Sequence, residues 1–292
     1  MKYTGPIFRP PVEAHTLLLQ VTVGCAHNEC TFCTMYRSIP FQVEPLEQIE
    51  QDLAEAKRQY GRLKRIFLVN GDAFVLSAPR LKAIAAKIIE YFPGMETITM
   101  YASIRNIMTK TDSELAELRQ MRINDLYVGL ETGHAEVIQH INKGHELADA
   151  YRQLERLNQA GIRHMALLML GVAGRGRGIE NAVETAKLLN AVRPSLVWLG
   201  TLGIFDDSPL AGEVAVGTFE AATEGEILEE EKKLIELLDL TGVPLYGVHP
   251  TNLTSIVGTL PGDRELMLQT IDDAIRATDP AILGRSLPRH SL

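Results

Sequence analysis

The sequence predicts an α/β fold, a partial or full TIM-like barrel, and three observations support this class. Strand-like and helix-like segments alternate about six times between residues 16 and 205, with short connections, which is typical of a parallel sheet covered by helices. The 292 residues are enough for one barrel of this kind, and 46% of them are hydrophobic, enough for a large core. In such sheets, functional residues collect at the carboxyl ends of the strands.

The predicted elements of this core, residues 16–205, follow one another regularly. An irregular lead-in, residues 1–15, contains three prolines. Period-two patterns and short apolar runs predict strands at 17–23, 65–70, 97–102, 125–130, 164–171 and 195–204. Helical periodicity predicts helices at 45–60, 79–92, 112–121, 134–141, 147–160 and 179–191.

After residue 205 the alternation becomes less regular, and we expect residues 206–279 to form a C-terminal extension packed on the barrel. The extension is predicted to contain helices at 224–240 and 264–277 and a strand at 243–248. The acidic run 224–236 is predicted to be the solvated face of its helix. Residues 280–292 are predicted to be a frayed tail.

The charge and hydropathy pattern restricts the function classes. The net charge of −8 disfavours a broad nucleic-acid surface, because phosphate binding depends on clustered lysines and arginines. The sequence has no apolar run of about 18 residues, and its start lacks the pattern of a signal peptide. We therefore expect a cytoplasmic protein without a membrane partner, in which thiols stay reduced and can hold metal.

All three cysteines of the chain, Cys25, Cys30 and Cys33, lie within nine residues directly after the first apolar run. They are too few for a closed site of four thiolates and odd in number for disulfides. The motif therefore predicts a soft-metal site with one coordination position left open. A zinc site with His27 as fourth ligand is the alternative, but structural zinc usually takes ligand pairs from separated segments, and the sequence contains no second pair.

This loop, with Phe32 directly before Cys33 and Tyr36 shortly after it, resembles the radical S-adenosylmethionine (SAM) enzymes. The resemblance implies that the three thiolates bind three irons of a [4Fe-4S] cluster, while the fourth iron binds the amino and carboxylate groups of SAM. It also implies reductive cleavage of SAM to a 5′-deoxyadenosyl radical. One difference from the family is the spacing, because four residues rather than three separate Cys25 from Cys30. We interpret this spacing as a variant of the motif.

Two short segments after the next strands extend the resemblance. Asn70-Gly71-Asp72 stands where the family often has Gly-Gly-Glu, a bend whose backbone meets the methionine amino group. Gly71 is kept and Asp72 is a shorter acid, which favours a backbone role over a side-chain role. After the third strand, Ser103 and Arg105 are implied to lie at the cofactor, with Arg105 serving the ligand carboxylate or the substrate.

The segments 129–133 and 141–145 resemble a signature of the branch that includes anaerobic coproporphyrinogen dehydrogenases and tRNA methylthiotransferases. By that resemblance, Glu131 hydrogen-bonds the ribose hydroxyls and Lys143 pairs with the ligand carboxylate. A helix-terminal acid and a solvated lysine are the structural alternatives for these two residues.

Two more candidates follow late strands. In the family, the backbone after the fifth strand approaches the adenine, which implies this role for Gly171 and a position near the adenine for Met169. Core filling is the alternative role for Met169. His249 follows a late strand-like run and is a candidate catalytic residue at the barrel mouth; a structural histidine is the alternative.

The resemblance covers residues 16–205 and implies a radical enzyme supplied with electrons by a flavodoxin- or ferredoxin-type reductant. The sequence contains neither the extra cysteine-bearing domain of the methylthiotransferases nor their RNA-binding tail. We therefore prefer a small-molecule or cofactor-precursor substrate, with an RNA base as the alternative. A non-catalytic iron–sulfur or zinc redox module is a third hypothesis, which predicts no SAM binding.

Overall fold

The computed structural model describes residues 1–289, and within that range it contains ten strands and eleven α-helices. The strands are β1 (Leu17–Gln20), β2 (Thr22–Val23), β3 (Gln42–Val43), β4 (Arg65–Val69), β5 (Thr97–Ala102), β6 (Ile123–Glu131), β7 (Arg163–Leu170), β8 (Leu196–Thr201), β9 (Val243–Gly247) and β10 (Ile256–Leu260). The helices are α1 (Leu46–Tyr60), α2 (Ala78–Tyr91), α3 (Ile104–Met108), α4 (Asp112–Gln120), α5 (Ala135–His140), α6 (Leu147–Ala160), α7 (Gly178–Val192), α8 (Pro209–Val216), α9 (Glu224–Leu237), α10 (Arg264–Ala277) and α11 (Pro280–Leu283).

Eight of the strands belong to one mostly parallel sheet, and β2 pairs separately with β3. The chain divides into two compact units. The first unit contains Met1–Asn28, Met35–Gly129 and Arg152–His164. The second contains Glu29–Thr34, Leu130–Tyr151 and the chain from Met165 onward.

In the first unit the strands lie in the order β1-β4-β5-β6, all parallel. Helix α1 forms because apolar residues recur on one face, and Ile49, Leu53 and Ala56 of that face are buried. At the start of β4, Arg65 pairs with the buried carboxylates of Glu13 and Asp125, at 2.5 and 2.6 Å. This ion-pair network joins the lead-in to the sheet.

In the second unit the order is β7-β8-β9-β10, where β7, β8 and β9 are parallel and β10 is antiparallel to β9. Strand β10 was not predicted from the sequence. Its middle residues, Val257, Gly258 and Thr259, are at most half-buried, so the segment lacks the apolar run that marked the other strands.

The predicted elements of the core agree closely with the observed ones, except that the first strand is divided and the short elements β3 and α3 were not predicted. The run 17–23 is two strands, because after Gln20 the chain leaves the main sheet and Thr22 and Val23 pair with β3. The short helices α3 and α8 were not predicted. Among the described residues, no helix is both long and apolar enough to cross a membrane.

The acidic helix and the tail differ from the sequence-based expectation. The prediction of a solvated acidic face is wrong for Glu224, Glu230 and Glu231, which are 0%, 1% and 2% exposed. The described part of the predicted tail contains α11, and the Arg289 guanidinium donates hydrogen bonds to both oxygens of Glu224, at 2.9 and 2.8 Å. Residues 290–292 lie outside the described part of the chain.

Candidate functional site

The cysteine loop begins in the first unit, where the turn after β4 packs directly on it. Gly71 has a φ of +48°, and a Cβ at this position would lie 2.2 Å from the Gly24 carbonyl oxygen and 3.0 Å from the Cys25 Cα. No side chain fits in that space. Gly71 therefore brings backbone against backbone at the first cysteine.

The neighbouring acid, Asp72, is 7% exposed and binds the loop itself. One carboxylate oxygen accepts the Ala26 N–H at 3.0 Å, and the other accepts the Asn106 side-chain amide at 3.3 Å. These contacts occupy the carboxylate with the backbone next to Cys25. The geometry gives the side chain of Asp72 a positioning role in the loop.

The four residues between Cys25 and Cys30 contain a left-handed turn at Asn28. This residue has a φ of +47°, in the left-handed region that asparagine tolerates better than most residues. Its side-chain amide donates to the Tyr36 carbonyl at 2.8 Å, and the Tyr36 hydroxyl accepts the Gly71 N–H at 3.2 Å. The longer loop therefore makes a left-handed turn that is tied back to the aromatic residue after the motif.

Ser103 and Arg105 both lie in the first unit, and Arg105 contacts the loop. Ser103 is the N-cap of α3: its hydroxyl accepts the Asn106 N–H at 3.3 Å, and the Asn106 side chain accepts the Ser103 N–H at 2.9 Å. The Arg105 guanidinium lies 2.6 Å from the His27 Nδ1. Arg105 thus contacts a histidine inside the motif, whereas Ser103 caps a helix.

The second half of the loop belongs to the second unit and is held through its backbone. The Thr31 N–H donates to the Ile141 carbonyl at 3.1 Å, and the Thr31 carbonyl accepts the Leu210 N–H at 3.0 Å. The Cys33 N–H donates to the Cys30 carbonyl at 3.2 Å, which forms a tight turn between the last two cysteines. The backbone between these cysteines is therefore fixed on both sides.

Two predicted cofactor residues, Phe32 and Met169, pack against the same apolar clusters of the second unit. Both contact two apolar clusters, which contain Val137, Ile141, Val172, Ala173, Leu202, Leu210 and Phe219. Phe32 therefore packs the loop against apolar side chains. For Met169 these contacts fit the core-filling role.

Glu131 and Lys143, predicted from the resemblance, lie together in the second unit. The Lys143 ammonium donates to the Glu131 carboxylate at 3.0 Å, and the two side chains are 10% and 13% exposed. Glu131 ends β6 with a φ of +64°, an unusual conformation for a residue other than glycine. The two charges are thus paired in a nearly buried setting.

Gly171, at the end of β7, is held by an acid that the sequence analysis missed. Its N–H donates to Glu230 Oε2 at 2.8 Å, and Glu230 Oε1 accepts the side-chain amide of Asn181 at 2.6 Å. Burial raises the pKa of Glu230 to about 7, against the two hydrogen bonds, which lower it. A signal was available, because Glu230 lies three residues after Ile227 and four before Leu234, on the buried face of α9.

His249 is half-buried beside the ring of Trp198, with a centroid distance of 5.0 Å. Its Nδ1 accepts the Thr251 N–H at 3.3 Å and lies 2.6 Å from the Thr251 hydroxyl. A backbone N–H can only donate, so Nδ1 is the acceptor and the neutral ring carries its hydrogen on Nε2. Burial lowers the pKa of His249, which favours this neutral form.

The donor set of the loop fits an iron–sulfur cluster with one open position. The three cysteines are half-buried, and none forms a disulfide within residues 1–289. Within the same residues, no group of three or more His, Cys, Asp or Glu side chains is assembled around a common point for a single metal ion. A cluster differs from zinc in this respect, because each thiolate binds a different iron.

The fold and the site define an α/β protein with three thiols on the loop that follows β2. The sequence matches the radical SAM superfamily over residues 19–189. The chain therefore belongs to the radical SAM superfamily, whose enzymes bind a [4Fe-4S] cluster and SAM. This confirms the family and the pair of cofactors expected from the sequence.

Curated relatives are similar over parts of their length. The heme chaperone HemW of Bacillus subtilis is 25% identical over 175 residues, which cover 57% of this chain and 46% of that protein. Protein YhcC of Escherichia coli is 23% identical over 194 residues, 59% of this chain and 60% of that protein. An uncharacterized protein of Methanocaldococcus jannaschii is 21% identical and covers 78% of this chain and 70% of its own length. The chain thus spans less than half of the HemW sequence.

Solved structures share the fold. The coproporphyrinogen III oxidase HemN of Escherichia coli aligns with a TM-score of 0.59 at 15% identity, covering 76% of this chain and 51% of HemN. Methylornithine synthase, PylB, aligns with a TM-score of 0.56 at 16% identity, covering 94% of this chain and 83% of PylB. These alignments confirm the predicted α/β fold class.

Proposed function

We propose that the protein is a radical SAM enzyme that acts on a small-molecule or cofactor-precursor substrate. The observation that carries this proposal is the cysteine loop: all three thiols lie on it, and the turn at Gly71 is packed on its first cysteine. When bound, the cluster would supply one electron to the SAM sulfonium and cleave the bond to the 5′ carbon, giving a 5′-deoxyadenosyl radical.

Several residues of the chain would bind and orient these groups. Cys25, Cys30 and Cys33 would be the iron ligands. Gly71 would bring its backbone to the methionine amino group, while the hydrogen bond from Ala26 N–H to Asp72 keeps the loop in place. Arg105, through His27, would steady the loop from its outer side.

The pair of Glu131 and Lys143 would bind the polar parts of SAM. An ammonium group has three donors, so Lys143 can keep its 3.0 Å contact with Glu131 and bind the ligand carboxylate as well. The second carboxylate oxygen of Glu131 would then accept a ribose hydroxyl. Phe32 and Met169 would shield this region from water, since both lie in apolar clusters.

His249 would act on the substrate as a neutral hydrogen-bond donor. With Nδ1 accepting from Thr251, the Nε2–H is the group available to a substrate oxygen. This arrangement supports a role in binding or polarising a carbonyl or carboxylate, and it disfavours a cationic role near neutral pH.

Two observations support the proposed substrate class: the net charge of the chain and its similarity to HemW. A net charge of −8 disfavours a long polyanion such as tRNA and supports a small substrate. The similarity to HemW, a heme chaperone, supports a cofactor-related molecule within this class. A flavodoxin- or ferredoxin-type protein would supply the electron.

The test is anaerobic reconstitution with iron and sulfide, followed by dithionite and SAM, with 5′-deoxyadenosine and methionine measured by mass spectrometry. The parent protein is expected to form both products, and Cys30→Ala is expected to form neither. The control is Glu29→Gln, which changes an exposed side chain in the same loop and should retain activity. Equal product from Cys30→Ala and the parent would overturn the proposal.

A second measurement tests the substrate class. We expect tRNA to bind weakly at physiological salt. Tight binding that weakens steeply as salt is raised would instead favour an RNA base as substrate.

A further inference from the structure

A buried chain of hydrogen bonds in the second unit begins at Glu230 of α9. This residue accepts the Gly171 N–H and the side-chain amide of Asn181, at 2.8 and 2.6 Å. The side-chain amide oxygen of Asn181 accepts the Thr132 hydroxyl, and the Thr132 hydroxyl oxygen accepts the His134 N–H at 2.9 Å. One carboxylate therefore connects the end of β7 with the turn that follows Glu131.

Both ends of this series of hydrogen bonds are segments for which the family resemblance implies a role in binding SAM. Gly171 is the backbone assigned to the adenine, and Thr132 directly follows Glu131, which is assigned to the ribose. Glu131 and Glu230 also line the same small pocket of about 10 Å³, room for about one water molecule. The Gly171 backbone and the turn after Glu131 are thus connected through Glu230.

The packing around Glu230 leaves it little freedom. A Cβ at Gly171 would lie 3.3 Å from the Ile227 side chain of α9, and a Cβ at Gly178, at the start of α7, would lie 3.1 Å from a carboxylate oxygen of Glu230. Helix α9 is therefore in close contact with the end of β7 and the start of α7. A carboxylate here is held by its surroundings as well as by its hydrogen bonds.

The two partners of Glu230 present donors to it, since one is a backbone N–H and the other is an amide NH₂. A carboxylate can accept both hydrogen bonds, whereas an amide of the same shape can accept only one and must turn its own NH₂ toward the other donor. This series of hydrogen bonds thus requires an acid at Glu230, because another polar side chain of the same size would not satisfy both donors.

We infer that Glu230 is a positioning residue for SAM, which makes helix α9 of the C-terminal region part of the nucleoside-binding machinery. The inference rests on the proposed function. Through Asn181 and Gly171, Glu230 fixes the two backbone segments that would hold the ribose and the adenine. Its own carboxylate contacts protein groups and acts on the ligand through them.

The neighbouring residue, Glu231, provides a matched control. It lies on the same helix and is 2% exposed, but its Oε1 has no hydrogen-bond partner in the described residues, and it faces Gly247 of β9 instead of Gly171. Glu230→Gln and Glu231→Gln therefore make the same chemical change at adjacent, equally buried positions. Only the first alters the chain of hydrogen bonds.

The experiment compares SAM binding to the anaerobically reconstituted parent and both variants by equilibrium dialysis. Glu230→Gln is expected to raise the Kd about tenfold, because the amide accepts only one of the two hydrogen bonds and leaves a buried donor unpaired. Glu231→Gln is expected to leave the Kd within about twofold. Hydrogen exchange supplies a second readout: the amides of Gly171 and His134 should exchange faster in Glu230→Gln than in Glu231→Gln, even without SAM.

The outcomes separate this inference from the proposed function. If the reconstituted parent does not bind SAM, the proposed function fails. If the parent binds SAM and the two variants have the same Kd and the same exchange at Gly171 and His134, the inference about Glu230 alone is overturned. Glu230→Asp should lie between the parent and Glu230→Gln, because it keeps the charge but shortens the reach.

Discussion

Two buried acids hold turns with the same set of donors, one in each unit. Asp72 accepts a backbone N–H from Ala26 and a side-chain amide from Asn106. Glu230 accepts a backbone N–H from Gly171 and a side-chain amide from Asn181. Each acid therefore fixes one segment of the proposed cofactor site through an asparagine and a main-chain amide.

Their electrostatic surroundings are opposite. In the first unit the buried Lys110 interacts with Asp72, and it keeps a lowered pKa of about 8 because burial outweighs the attraction of Glu114 and Asp72. In the second unit Glu230 stands next to another buried acid, and burial raises the pKa of Glu231 to about 8, with a further contribution from the charge of Glu230. The first acid has a cation nearby and the second has a like charge.

The two turns also differ in how closely they pack. Gly71 brings the first turn against the backbone of Gly24, with no room for a Cβ. The second turn, at Gly171, is held by the Glu230 side chain of α9, a helix that is distant in the sequence. We therefore expect steric changes to disrupt the first region most, and changes of charge or pH to affect the second.

The largest expected effect is that of Gly71→Ala. The new Cβ would lie 2.2 Å from the Gly24 carbonyl oxygen, and the left-handed φ adds strain, so we expect a loss of about 3 kcal/mol or more in stability and almost no bound iron after reconstitution. Iron per chain and thermal unfolding measure this. Gly94→Ala, where a Cβ meets nothing within 4 Å, is the control. Normal iron content in Gly71→Ala would contradict the close-packing interpretation.

Asp72→Asn should have the next largest effect. The amide can accept from only one of the two donors, so we expect a loss of about 2 kcal/mol in the free energy of unfolding and a lower affinity for iron. Chemical denaturation and iron titration are the measurements. Asp112→Asn, at a side chain that is 81% exposed, should change neither. An Asp72→Asn protein as stable as Asp112→Asn would show that the hydrogen bonds to Ala26 and Asn106 matter little.

Glu231→Gln tests the expectation that changes of charge or pH affect the second region. A folded pKa of about 8, above the unfolded value of about 4.3, means that the native state binds the extra proton between these pH values. The stability contributed by the protonated acid is therefore complete at low pH and is lost as pH rises to about 8. Relative to the parent, Glu231→Gln should gain about 1–3 kcal/mol by pH 9 and almost nothing at pH 4. A difference that does not change with pH would refute this account.

The smallest expected effect concerns the longer spacing of the cysteine motif. Asn28→Gly keeps the left-handed turn but removes the 2.8 Å hydrogen bond to Tyr36, so the loss should be about 0.5–1 kcal/mol with iron binding retained. Asn28→Ala should lose about 1 kcal/mol more, because alanine tolerates the left-handed φ poorly. Equal stability of the two variants would mean that the backbone conformation at Asn28 is not what accommodates the extra residue.

Much of the fold and part of the site could be predicted from the sequence. The spacing of apolar residues predicted β4 to β9 and most helices, because burial of one face imposes period two or period 3.6 on the sequence. The clustering of Cys25, Cys30 and Cys33 predicted a thiolate site with an open position. Gly71 was singled out as a cofactor-binding residue, which stays a prediction; the structure shows that a Cβ added there would lie 2.2 Å from the Gly24 carbonyl oxygen.

Tertiary structure alone decided how these segments are held. Lys143 pairs with Glu131, Asp72 accepts a hydrogen bond from the Ala26 amide, and Glu230 is buried. Each of these features depends on contacts between residues that local sequence patterns treat separately. An acidic residue on a helix usually faces water, and it is buried here because Gly171 and Asn181 supply donors from other elements. The sequence by itself determined which atoms can hold the cluster, since thiolate chemistry is local. Only the folded chain determined which acids hold the turns of the proposed site, because each acid needs hydrogen-bond donors that the fold brings together from distant parts of the sequence.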